Sequence, residues 1–125
     1  MLDDYSTHTT LPCQDRDRAK AWYAEKLGLT PTSESQEALT YEDGTGARFI
    51  LFKTTGRPSG THTQMGWRVP DVEATVGELK ARGVTFEEYD FPAFDKATSV
   101  SVTGTTRAAW FKDSEGNLLG LVTLV

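Results

Sequence analysis

The chain has 125 residues, 25% charged and 38% apolar, the composition of a single soluble globular domain. Thirteen basic against eighteen acidic side chains leave a net charge of -5, and no stretch carries the basic face of a nucleic-acid binder. No run approaches the ~20 apolar residues that span a bilayer, the acidic start Met1-Leu2-Asp3-Asp4-Tyr5 lacks the apolar core of a signal peptide, and the lone Cys13 cannot pair internally; a cytoplasmic location is expected, with neither nucleic acid nor membrane as partner.

In chain order, residues 6–13 read as a strand. Asp15 then caps a helix with Asp17 in its first turn, Ala19, Trp22, Tyr23 and Leu27 form its apolar stripe, and Gly28 ends it. Residues 30–35 suit an edge strand, and 37–42 and 47–53 are strands around the turn Asp43-Gly44-Thr45-Gly46. Thr54–Gly60, with Gly56, Pro58 and Gly60, reads as a linker. The pattern then restarts. Residues 64–69 are a strand, Asp71 caps a helix carrying Val72, Val76 and Leu79 on one face, and Gly83 ends it. A strand is expected over 84–90, an irregular stretch over 91–104, and a closing hairpin of 106–112 and 117–124 around Asp113-Ser114-Glu115-Gly116.

This restart is an internal repeat. Asp15 and Asp71 lie 56 positions apart, Gly28 and Gly83 lie 55 apart, and Gly46 and Gly116 lie 70 apart, so the second half carries about 15 extra residues, which fall in 91–104. Each half has the order strand–helix–strand–strand–strand.

Side chains alternate across a strand. One set, Leu11, Cys13, Phe49, Leu51, Met65, Trp67, Val69, Leu119 and Leu121, suits packing against the helices. The other mixes His8, Thr10, Arg48, Gln64 and Arg68 with Ile50, Phe52, Leu118, Gly120 and Val122. An apolar wall with a few polar groups is the usual lining of a small-molecule site, and an ordinary half-exposed sheet is the alternative.

Two βαβββ halves resemble the vicinal oxygen chelate superfamily, which contains glyoxalase I, bleomycin-resistance proteins, fosfomycin-resistance thiol transferases and extradiol dioxygenases. The resemblance is carried by Leu11-Pro12-Cys13-Gln14-Asp15 with Asp17-Arg18-Ala19-Lys20-Ala21-Trp22-Tyr23, by Leu27-Gly28-Leu29, by Gly66-Trp67-Arg68-Val69-Pro70-Asp71-Val72-Glu73, and by Trp110-Phe111-Lys112-Asp113-Ser114-Glu115-Gly116-Asn117-Leu118-Leu119. It implies an α+β fold of two tandem βαβββ modules, with mixed sheets curling around a groove and helices packed outside. The modules are expected at about 5–54 and 61–125 of a single domain 1–125, joined at about 55–60. It also implies a homodimer.

Metalloenzymes of that superfamily use up to four inward ligands, and their positions fall here on His8, Ile50, Gln64 and Gly120. A catalytic divalent metal needs about three protein ligands, with imidazole or carboxylate favoured. Ile50 and Gly120 supply none, so His8 and Gln64 read as vestigial positions, no cofactor is expected, and a divalent metal is the less favoured alternative. His62 shares the parity of Gln64 and lies near the expected rim.

His8 reads as a ligand contact ahead of a general base. Arg48 suits a ligand carboxylate or phosphate and equally a solvated edge. Trp110, beside helix-facing Phe111, is expected to face the groove and stack on a planar ligand. Trp22, Tyr23 and Trp67 read as core, and Cys13 as a buried inert thiol. Tyr89-Asp90-Phe91-Pro92-Ala93-Phe94-Asp95 opens the inserted segment and suits a lid, with Phe91 and Phe94 over the ligand. The expected partner is therefore a small molecule, held without transformation as in bleomycin resistance. The alternatives are a lyase, isomerase or oxygenase with an atypical metal site at His8, and a metal-free enzyme using His8 as base.

Overall fold

The computed structural model describes residues 1–123. A short 3-10 turn at Leu2–Asp4 leads into β1 (Thr9–Cys13), α1 (Arg16–Trp22), β2 (Ser33–Glu34), β3 (Ala38–Glu42) and β4 (Arg48–Lys53). The second half comprises β5 (Met65–Arg68), α2 (Val72–Ala81), β6 (Phe94–Asp95), β7 (Val100–Thr103), β8 (Thr106–Lys112) and β9 (Leu118–Thr123). The first sheet has the order β1-β4-β3-β2 and the second β5-β9-β8-β7-β6. In each, the first strand runs parallel to the last, and the last pairs antiparallel with its predecessor. This is the expected α+β pair of modules. The expected end of the closing strand at Leu124 lies outside the described residues.

Local chemistry sets most boundaries. Asp15 and Asp71 hold extended backbone, and each carboxylate accepts the N–H three residues on, at 3.0 Å from Arg18 and 3.0 Å from Ala74. Gly28 (φ 68°) and Gly83 (φ 92°) take the left-handed conformation past each helix end, where a side chain would be strained. After Trp22 the first helix widens into a π turn, Tyr23–Leu27, which the helical stripe does not reveal.

The repeat is visible in the hydrogen bonds of the two turns. Asp43 Oδ1 accepts from the N–H groups of Thr45 (2.8 Å) and Ala47 (3.1 Å). Asp113 Oδ1 accepts from the same relative positions, Glu115 (2.8 Å) and Asn117 (2.9 Å). Gly46 and Gly116 close the two turns with φ 89° and 86°.

The expected strand at 84–90 is not present as a strand, and the irregular stretch at 91–104 contains two. Phe86 makes a single bridge to Phe111, and the Glu87 N–H donates to the Trp110 carbonyl at 2.8 Å. The reason is competition for one edge. β7 pairs with the first half of β8, from Ser101↔Ala108 to Thr103↔Thr106, leaving only its far end to Phe86 and Glu87. The counterpart of β2 is thus β7, formed from the extra residues.

The helix-facing set forms one core through both modules. Leu11, Cys13, Leu39, Leu51, Val72, Val76, Phe111, Leu119 and Leu121 are buried within it. Six aromatic rings make a closed circuit: Tyr23, Tyr41, Phe49, Trp67, Phe111 and Trp22, with successive centroids 4.7–6.3 Å apart. Four of the six come from the first module and two, Trp67 and Phe111, from the second, so neither module completes the circuit alone, as expected for units near the lower size limit for a core. No described helix is long and apolar enough to cross a membrane.

Candidate functional site

The two most distinctive sequence motifs meet each other. The Asp113–Asn117 turn docks on the junction between β1 and α1. Glu115, whose side chain is fully buried, accepts through Oε1 from the N–H groups of Gln14 and Asp15, both at 2.9 Å. The Arg18 guanidinium grips the same carboxylate with Nε at 2.9 Å from Oε2 and Nη2 at 3.1 Å from Oε1, while Ser114 donates to Oε2 at 2.9 Å. Burial raises the Glu115 pKa, but donation from Arg18, Asp15, Ser114 and Gln14 outweighs it, so the net shift is downward. Beside it, the Asn117 amide donates to the Pro12 carbonyl (3.0 Å) and to Asp113 Oδ2 (2.9 Å), and the buried Tyr23 hydroxyl donates to the same Oδ2 at 2.6 Å. Burial first, and the Asp113 charge next, push the Tyr23 phenol well above its ordinary range. These residues clamp module to module. Burial, aided by the Glu115 and Asp113 charges, also pushes the Cys13 thiol up to about 11, which keeps it a protonated, unreactive core side chain.

Tyr23→Phe is expected to lower stability by about 1–2 kcal/mol, because Asp113 Oδ2 loses one of two donors but is not orphaned. A urea midpoint that falls at unchanged slope is the check.

The other face of the sheets carries the expected ligand contacts, distributed between modules. His8 and Thr10 are exposed at β1, and Ile50 is half-buried between Thr10 and Thr40. Phe52, 48% exposed, pairs with Pro12 and Ala38. Arg48 is exposed and spends its Nε on Glu42 Oε2 at 3.0 Å, across the β3–β4 end. In the second module Arg68 is exposed, Val122 half-buried and Leu118 buried. The Gln64 carboxamide oxygen accepts from the Leu118 N–H at 3.2 Å.

At the centre of the second sheet, three residues stand in one row: Trp110, Gly120 and Gly66, paired strand to strand. A Cβ placed on Gly120 would lie 3.4 Å from Trp110 Cδ1, 3.5 Å from its Nε1 and 3.3 Å from Thr63 Cγ2. The indole thus lies against the glycine, fixed by Nε1–H donating to Thr63 Oγ1 at 3.0 Å. A Cβ on Gly66 would meet the Gly120 carbonyl oxygen at 2.8 Å, so glycine is required there by the close approach of the two strands.

Above this row lies a recess of about 260 Å³, lined by Thr61, His62, Thr63, Tyr89, Phe91, Trp110 and Leu118. Its aromatic wall is continuous. Tyr89 stands edge-on to Trp110 (centroids 5.4 Å) and to Phe94 (5.6 Å), and Phe91 lies 6.0 Å from Tyr89 and 5.7 Å from Phe94. Phe94 is buried and Phe91 is 40% exposed, so one anchors the inserted segment and the other faces outward at the mouth. Of the expected contacts, Phe91, Trp110 and Leu118 line this recess. His8, Thr10, Ile50 and Phe52 belong to the first module's face and do not. Tyr89 belongs to the segment expected as a lid, whereas Thr61 and Thr63, between the linker and β5, had no expected ligand role. His62, placed near the rim, lies in the recess wall.

The model of the Glyoxalase/Bleomycin resistance protein/Dioxygenase superfamily matches residues 6–121. The chain belongs to this superfamily. Among curated proteins none matches it. Solved structures do, across nearly their whole lengths. UcmS2 is 25% identical with a TM-score of 0.70, covering 94% of this chain and 96% of that one. TnmS3, an antibiotic binding protein from Streptomyces sp. CB03234, is 22% identical with a TM-score of 0.67, covering 97% and 98%. FosX, a fosfomycin resistance protein from Listeria monocytogenes, is 16% identical with a TM-score of 0.70, covering 97% and 93%. The last two likenesses are of fold.

Proposed function

We propose that this superfamily member binds a planar aromatic small molecule against Trp110 and holds it without transforming it and without a divalent metal. The observation that carries the reading is the indole lying against Gly120. The position where metal-binding relatives place a carboxylate is thereby turned into a stacking surface. The remaining donors do not fit a divalent cation either. Ile50 offers none, the Gln64 oxygen accepts from Leu118 N–H, and His8 alone supplies an imidazole. Among the described residues no three His, Cys, Asp or Glu side chains gather as a metal site requires.

The recess, a little below the ~300–1,000 Å³ of most ligand sites, has the aromatic lining and sparse polar groups such sites show. The antibiotic-binding role of TnmS3 agrees with this reading. A homodimer, as the sequence resemblance implies, and the cytoplasmic location expected from the composition belong to the same proposal.

The test is a fluorescence titration with N-phenyl-1-naphthylamine, an uncharged fused-ring probe. Saturable binding with the same Kd in EDTA and in added zinc or manganese is expected. No binding, or binding that disappears in EDTA, overturns the proposal.

A further inference from the structure

The polar residues of the recess, Thr61, His62 and Thr63, come from the segment that leads from the linker into β5. Gly60 (φ 72°) turns the chain where a Cβ would come within 3.2 Å of Lys112 Cε, so the linker lies directly on β8. Ser59 Oγ is the hub of the turn that follows. It accepts from the Thr61 N–H at 3.2 Å and lies 2.9 Å from Thr61 Oγ1 and 3.1 Å from His62 Nδ1. Thr63 is tied to the Trp110 indole. The imidazole, held by its Nδ1, forms part of the recess wall, and its second nitrogen, Nε2, has no hydrogen-bond partner among the described residues.

Resting on the binding site proposed above, we infer that His62 is the specificity-determining contact of this recess and selects planar aromatic ligands bearing an anionic oxygen. The recess residues other than His62 supply rings, threonine hydroxyls and a leucine, so an anionic substituent finds no cationic side chain among them. Nε2–H donates to an oxygen both in the imidazolium and in the tautomer whose Nδ1 accepts from Ser59. Lys112 of β8 does not line the recess and is ion-paired to Glu87 at 3.3 Å.

Two probes with one ring system separate the claims: 1-anilinonaphthalene-8-sulfonate and its uncharged analogue N-phenyl-1-naphthylamine. His62→Ala, an exposed substitution, is expected to weaken the sulfonate about tenfold, as loss of one charge-assisted hydrogen bond would, and to leave the uncharged probe within twofold. Trp110→Phe is expected to weaken both alike. If His62→Ala shifts both probes equally or neither, the role of His62 is overturned while the recess stands. If Trp110→Phe and Trp110→Ala leave both probes unchanged, the recess reading falls and this inference with it.

Discussion

Glu115→Ala is expected to destabilise the fold by about 3 kcal/mol, the scale for removing one partner of a buried, hydrogen-bonded charge. Four donors lose their acceptor together: the N–H groups of Gln14 and Asp15, the Arg18 guanidinium and the Ser114 hydroxyl. In a domain of this size that lowers the melting midpoint by roughly 10 °C. Arg18→Ala should cost less, about 1 kcal/mol, since Arg18 is half exposed and the backbone donors remain. The pH dependence follows from the downward shift of the Glu115 carboxyl. Its folded pKa lies below the unfolded value, so its contribution is complete above the unfolded pKa and is lost as pH falls through the folded one. Acid titration of the wild type should show this loss, and Glu115→Gln should flatten it. Thermal melts at neutral pH and at successively lower pH check both points.

The second large effect concerns the recess. Trp110→Ala is expected to weaken N-phenyl-1-naphthylamine by about 2 kcal/mol, roughly thirtyfold in Kd, because it removes the central aromatic surface. It also frees Thr63 and uncovers Gly120. Trp110→Phe, which keeps an aromatic face, should lose several-fold less, and this ordering separates loss of stacking from loss of folding. A probe affinity that survives Trp110→Ala would place the ligand elsewhere, most plainly on the first module's face at Phe52 and Ile50.

Features governed by neighbours a few residues apart were legible in the sequence. The caps Asp15 and Asp71, the stops Gly28 and Gly83 and the two Asp-x-x-Gly turns all appear where their chemistry puts them. Strand parity also placed Trp110 opposite Phe111. What needed the fold were pairings between distant segments. Glu115 reads as a solvated turn residue until the chain brings Gln14 and Asp15, 101 and 100 positions away, onto its carboxylate. The alternation over 84–90 suits a strand, but which segment occupies the edge of β8 depends on a hairpin whose turn includes Ser99 at φ 62°, a left-handed residue with no glycine to announce it. The register that sets Trp110 beside Gly120, and the fold of the segment before β5 that brings His62 to the recess, are likewise tertiary. The four positions on which the family resemblance places metal ligands were readable as residue types. That the Trp110 indole packs against one of them, Gly120, was not.

The claim that a stacking surface stands in place of a metal centre is tested most directly by one diffraction experiment. Crystals of the wild-type protein would be soaked with N-phenyl-1-naphthylamine and a zinc salt, and anomalous data collected at the zinc edge. Ring density is expected against Trp110, beside Tyr89 and His62, with no anomalous peak joining His8 to Gln64. A zinc peak held by those two side chains, with the probe absent from the recess, would contradict the claim.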